Sequence, residues 1–356
     1  MSEERLVFDS LDACLGPRGS RFFGTGYKRV GQQLHHIATD GLTGPGAGAD
    51  ARATLTYPAD WSRKAAGREL RPHLSSIDAL VLAASLAEIH LNGAHGLDEE
   101  QRRRTWLRSA DIRAGSRPHE DLADFAVSAR LAHSAPVGPV HGGGGAGEAE
   151  GAAAGPYAPV SSVYDCRIGE LKVRCDFVHE AAGDRPRGPA RYATDEEALG
   201  AARTRHYGAG YKAHSHHADG VSVDLAEQRV RARQFVVPSV ERLHEAHGAE
   251  AAYAPSVSLV DTLVCVAQLA QALLYAQDGV DRGRSNTLWM RRTVVGAHSP
   301  LRPMAGPIEA KAYVTRTRLL GLGDGTWRVA DLAVDDFSGI YGRCSIAHQL
   351  PMLAAA

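Results

Sequence analysis

Pro72-His73-Leu74-Ser75-Ser76-Ile77-Asp78-Ala79-Leu80-Val81 and Pro255-Ser256-Val257-Ser258-Leu259-Val260-Asp261-Thr262-Leu263-Val264 are one passage written twice. The displacement is 255 − 72 = 183. Each passage opens a long apolar run. In the first, SIDALVLAASLAEIHLN (76–92), Ile77, Leu80, Val81, Leu82, Ala84, Leu86 and Ile89 leave almost no polar face. A helix apolar nearly all round is a buried helix. Ser75 or Ser76 can cap its first amides, and Asp78 suits the positive end of its dipole. Val260 to Tyr275 repeats the pattern.

Outward from this passage the repetition continues. RFFGTGYK (21–28) returns as RHYGAGYK (205–212), displaced by 184. Trp106-Leu107-Arg108 returns as Trp289-Met290-Arg291 at 183, and Arg174-Cys175 with His179 as Arg343-Cys344 with His348 at 169. Four matches in one order indicate a duplicated unit. The drop from 183 to 169 assigns extra residues to the first copy, in the Gly/Ala-rich tract 136–156, which reads as a flexible surface loop. A polar stretch, about 180–204, joins units placed at 15–180 and 200–352. After each helix the pattern alternates, as in Phe125 to Leu131 and Ile308 to Val314. Later strands read at Glu170 to Val178, Trp327 to Val334 and Ile340 to His348, with a hairpin turn at Leu320 to Thr326. One buried helix followed by successive antiparallel strands is an α+β pattern. The predicted fold is a tandem (double) hot-dog, its two sheets meeting edge to edge as a pseudo-dimer.

Composition narrows the function. The chain has 356 residues, 40 Lys and Arg against 41 Asp and Glu, and a net charge of −1. That balance argues against a nucleic-acid binder. The chain is 44% hydrophobic but has no unbroken apolar run long enough to span a membrane. The first residues are acidic and lack the apolar core of a secretory signal. Five scattered cysteines, none in a CxxC pair, suit a reducing compartment and no structural zinc. A cytoplasmic protein is expected. No Walker, Rossmann or GxSxG motif occurs, so no nucleotide cofactor and no serine hydrolase is expected. His214, His216 and His217 lack the partners of a metal set, so no metal is expected either.

The stretches LGPRGSRFFGTGYKRV (15–30), TYPADWSRK (56–64) and LRPHLSSIDAL (70–80) are long and unusual. Through them the chain resembles the avirulence protein D (AvrD) family from about residue 15 onward, the Gly/Ala tract apart. The resemblance implies synthesis of syringolide-type acyl glycosides from a β-ketoacyl thioester, carried by CoA or an acyl-carrier protein, and a keto-sugar such as xylulose. It is similar in logic to the synthases of γ-butyrolactone signals, and a composition rich in Ala, Arg and Gly suggests a high-GC bacterium, for which a butenolide-like signal is the expected product in place of an elicitor. The alternatives are a hot-dog thioesterase or dehydratase and a non-catalytic lipid-signal binder. A homodimer is compatible with each.

Candidate residues follow from where the copies differ. Asp78, Ser85 and Glu88 form a sparse polar stripe on the first helix, and the second carries Asp261, Gln268 and Gln271 there. Glu88 therefore has no acidic twin, and burial would move its pKa toward neutrality. His73, replaced by Ser256, is the matching base. The catalytic candidates are Glu88, His73 and Asp78, although retention of Asp78 as Asp261 favours a cap. The substrate-binding candidates are Trp106, Arg108, Arg174, Arg291 and Arg343, arginines that could take a phosphate or carboxylate. Gly24-x-Gly26-Tyr27-Lys28 and its copy read as tight turns, with Lys28 or Lys212 as a minor anion site.

Overall fold

Ser75 and Ser258 each start a nineteen-residue helix, α1 (Ser76–Ala94) and α2 (Leu259–Gln277). Each serine hydroxyl accepts from the amide of the aspartate three residues on, Asp78 at 3.2 Å and Asp261 at 3.1 Å. Each aspartate accepts in return from the serine amide, closing a capping box. The computed structural model describes residues 5–64, 70–137, 159–181, 187–239, 246–283, 285, 288–322 and 325–350. The Gly/Ala tract assigned to a surface loop lies largely outside them.

Among the described residues, fourteen strands form one antiparallel sheet. In chain order they are β1 (Arg5–Ser10), β2 (Gly31–Thr39), β3 (Gly48–Thr56), β4 (Trp106–Arg113), β5 (Phe125–Pro136), β6 (Pro159–Ile168) and β7 (Leu171–Glu180). Then come β8 (Ala190–Thr194), β9 (Ser215–Asp224), β10 (Arg229–Val237), β11 (Trp289–Ala297), β12 (Ile308–Leu322), β13 (Gly325–Phe337) and β14 (Ile340–Gln349). Their order across the sheet is β1-β9-β10-β12-β13-β14-β11-β4-β7-β6-β5-β3-β2-β8. Helix α1 packs on β2 to β7, and α2 on β9 to β13. A long buried helix wrapped by antiparallel strands is the hot-dog arrangement.

Two expectations are corrected. The joining stretch 180–204 is not plain linker: it holds β8 and a short helix, Asp195–Leu199. Moreover, β8 pairs with β2, whereas β1 crosses to β9, so each half receives its outermost strand from across the chain. Ala, Arg and Tyr alternating on an exposed edge carry too little apolar signal to be read as a strand. Secondly, both long helices reach the length and apolarity of a membrane span, although neither is an unbroken apolar run. The first is wholly buried within the protein and the second 72% buried.

The repeated glycine turns meet one another. Lys28 Nζ donates to the carbonyl of His214, and Lys212 Nζ donates at 2.6 Å to that of Val30. The rings of Tyr27 and Tyr211 stack at 6.2 Å. Both lysines thus tie the halves together and are not left for an anion. What the motif needs is close approach: a Cβ on Gly26 would lie 1.9 Å from the Trp61 carbonyl oxygen. Gly26→Ala is therefore expected to destabilise the fold by at least ~1–3 kcal/mol. Gly19→Ala, with nothing within 4 Å of the added carbon, should leave the melting temperature nearly unchanged. Thermal denaturation of both variants checks this, and equal melting points would remove close packing as the reason for the motif.

Candidate active site

Joining β4 to β11 creates two junctions, each facing the N-terminus of one helix with the middle of the other. The first is open. A cavity of about 760 Å³ lies between Trp61, His73, Ser75 and Ser76 of the first half and Gln271, Tyr275, Trp289 and Arg291 of the second. His73 sits against the Trp289 ring at 5.3 Å and edge-on to Trp61 at 6.2 Å. Its Nδ1 lies 3.2 Å from the Arg71 carbonyl, an oxygen that can only accept. In the neutral ring Nδ1 therefore carries the hydrogen and Nε2 is the basic nitrogen. Phe23, Ser76, Gln271, Leu288 and Met290 also line a second, apolar slot of about 110 Å³. That slot continues between α2 and the sheet, past Val266 and Ala270, toward Leu332, Val334 and Ile346.

The second junction is plugged. Glu250 accepts from Tyr207 Oη at 2.7 Å, from the Leu107 amide at 3.2 Å and from Arg302 at 2.7 Å. Arg302 also donates from Nε to the Val257 carbonyl at 2.5 Å. The space left beside this network, lined by His206, His214 and Ser256, is about 70 Å³.

Glu88 belongs to the plugged junction. Its carboxylate accepts from the Ala249 amide at 2.9 Å and is buried. Burial raises its pKa, opposed by Arg205 and the Ala249 amide. Gly248 fits beneath it only without a side chain: φ is +69°, and a Cβ would stand 2.7 Å from Glu88 Oε1. The expected partnership of Glu88 with His73 is thus corrected by geometry. His73 faces Gln271, the residue at the Glu88 position of the other helix. Asp78 is a cap and a brace, accepting from Ser75, from Gln32 Nε2 at 2.7 Å and from the Tyr57 hydroxyl.

Of the binding candidates, Arg291 lines the cavity and Arg343 the apolar slot. Arg108 instead pairs with Asp176 at 2.6 Å, Arg174 pairs with Asp165 at 2.8 Å on the surface, and Trp106 is buried in the core. Sequence reasoning passed over Trp61, Gln271, Tyr275 and Trp289 as site residues. The copy-to-copy difference that singles out Glu88 also singles out Gln271, the residue of that pair that lines the open cavity. His214 and His216 are taken up by Asp261, whose Oδ1 lies 3.0 Å and 2.8 Å from their ring nitrogens. Burial would raise the Asp261 pKa, but the two histidines outweigh it and hold the carboxyl well below the usual range.

At the far end of α1, Asn92 and His95 are buried, and neither side chain has a hydrogen-bond partner among the described residues. The His95 ring lies 4.5 Å from that of His179. The corresponding place in the second half holds a hydrogen-bonded pair, Asp278 with His348 at 2.8 Å.

Residues 6–351 match the family model of the Pseudomonas avirulence D protein (AvrD). No curated protein matches the sequence. Solved structures similar to it include the tesB protein of Mycobacterium avium subs paratuberculosis, at 9% identity over 85% of this chain and 92% of that one, with a TM-score of 0.34. An acyl-CoA thioesterase II from Mycobacterium marinum is similar at 7% identity over 75% and 91%, with a TM-score of 0.31. A hot dog fold protein of Alicyclobacillus acidocaldarius is similar at 8% identity over 86% and 94%, also with 0.31.

The buried His95 makes stability depend on acid. Burial first, then the neighbouring His179 and His90, lowers its pKa from 6.5 to about 4. Between those values the unfolded chain binds a proton that the folded chain does not, so stability falls as pH drops through the interval. His95→Leu should flatten the slope by up to one proton, about 1.4 kcal/mol per pH unit. Urea denaturation across the interval measures it, and parallel pH profiles for the two proteins would refute the assignment.

Proposed function

Because this chain belongs to the avirulence D protein (AvrD) family, we propose that it is a synthase joining a β-ketoacyl thioester to a hydroxy-ketone or keto-sugar of the xylulose kind. We further propose that it is a tandem hot-dog, with units of about 15–180 and 200–352 forming a pseudo-dimer. The recurring strand order and the reciprocal Lys28 and Lys212 contacts support that architecture. The observation that carries the functional reading is His73, held between two tryptophans where a roomy cavity meets an apolar slot.

In this mechanism the acyl chain occupies the slot beside α2 and its thioester carbonyl lies near Gln271. His73 Nε2 accepts the proton of the polyol hydroxyl as that oxygen attacks the thioester carbon. The amides opening α1 and the Gln271 carboxamide can stabilise the oxyanion. The C–S bond then breaks, and the proton held by His73 passes to the departing thiolate. The product is an ester ready for ring closure. No serine elbow is needed, because the acceptor hydroxyl is itself the nucleophile. The five free thiols support a reducing, cytoplasmic setting.

His73→Gln should lower turnover by ~10²–10⁴-fold while acyl-thioester binding persists. Glu88→Gln, in the plugged junction, should leave turnover within a few-fold of the parent. The assay follows loss of both a β-ketoacyl thioester and xylulose. Consumption of thioester alone would make the protein a thioesterase, tight binding without consumption a lipid-signal binder, and an inactive Glu88→Gln enzyme would relocate the chemistry.

A further inference from the structure

The wall of the open cavity is charged with one sign. Among the described residues, Arg21, Lys64, Arg117, Arg282, Arg291 and Arg318 line it and no aspartate or glutamate does. Three of the six are committed, Lys64 among them, whose Nζ donates to the Ser285 carbonyl at 2.7 Å. Arg21 is paired with Asp12, and Arg282 donates to the carbonyls of Ser20 and Arg63 at 3.1 and 3.2 Å, which orients its charge without neutralising it. Arg117, Arg291 and Arg318 have neither hydrogen-bond nor ion-pair partners for their side chains among the described residues. Three other strand arginines, Arg108, Arg174 and Arg292, are paired with carboxylates. Like charges collected in a cleft with apolar walls raise the local potential for an anion.

The strand register spreads this charge along the cavity, from Arg291, two residues beyond Trp289 on β11, to Arg318, three strands away. Arg318 lies opposite Val329, Val329 opposite Ala347, and Ala347 opposite Trp289, the ring against His73. Three strand spacings, about 14 Å, therefore separate Arg318 from the His73 side of the cavity. A group held at the Arg318 end stands clear of the bond being made. It can serve as a handle whose binding energy positions the reactive end.

We propose that this wall binds a phosphate ester carried by one of the two substrates, with Arg117, Arg291 and Arg318 as its ligands. Guanidinium groups suit this role because they meet phosphate oxygens two at a time. The phosphate comes either from the thioester carrier or from the polyol. The inference rests on the proposed synthase only for its choice of probes.

Calorimetric titration of the full chain decides it, using coenzyme A against pantetheine and D-xylulose 5-phosphate against D-xylulose. At least one phosphorylated member should bind about tenfold or more tightly than its phosphate-free partner, and the gap should shrink with added salt. A gap in the first pair assigns the phosphate to the carrier; a gap in the second assigns it to the polyol. Arg117→Gln, Arg291→Gln and Arg318→Gln should each narrow the gap several-fold while leaving the phosphate-free partner unaffected. Equal affinities within both pairs would overturn the inference, as would a gap indifferent to all three substitutions. Because binding is read without turnover, a phosphate gap in a protein that makes no product would end the synthase reading and keep this one.

Discussion

The pairing of β4 with β11 is the constraint from which the site follows. Five consecutive residue pairs, from Arg292 opposite Arg113 to Gly296 opposite Ser109, join the two halves into one sheet. Arg292 reinforces the seam by bonding both oxygens of Asp111, at 3.0 and 2.7 Å. An open sheet edge is exposed to unwanted pairing, and the seam removes the two most central ones. It also fixes where each helix starts relative to the other half. Neither half alone would enclose a cavity holding both His73 and Gln271.

The two helices then divide the labour by side-chain size. Helix α1 presents Ala79, Ala83, Ala84 and Ala87, all fully buried, so the strands close tightly on it. On α2, Leu263, Val266, Ala267 and Gln271 are only partly covered, and the apolar slot runs along that face. A chain entering beside α2 can therefore replace water on apolar surface, at roughly 25 cal/mol per Å² buried. Beside α1 it would have to displace packed protein, which interiors resist.

The sequence makes both helices, their caps and most of the strands legible, because these depend on periodicity and local capping chemistry. Ser75 with Asp78 and Ser258 with Asp261 carry their signal within four residues. What it hides is relative placement. Glu88 and His73 pair in the sequence because both break the match between the copies, yet helix geometry and the seam send them to opposite junctions. Lys28 and Lys212 looked available for an anion because their acceptors, His214 and Val30, belong to the other copy. The exchange of β1 and β8 is hidden for the same reason: edge strands of six and five residues say nothing of which sheet they will join.

The open and plugged junctions differ by a few residues at matching positions of the repeated motifs, and these explain why the two pockets are unequal. Tyr207 stands where the first copy has Phe23, and its hydroxyl supplies one of the donors that Glu250 needs. Arg302 stands where the first copy has His119, both receiving the amide that precedes the helix cap. Burying the Arg302–Glu250 pair is favourable only if nearly every lone pair finds a donor. Tyr207, Leu107 and Arg302 provide those donors together. The same set cannot be assembled at the first junction, since a phenylalanine ring has no hydroxyl and an imidazole cannot span both the carbonyl and the carboxylate that Arg302 bridges. There the space stays open, His119 lines it with a buried Nε2 that has no partner among the described residues, and His73 is left facing a cavity large enough for a substrate.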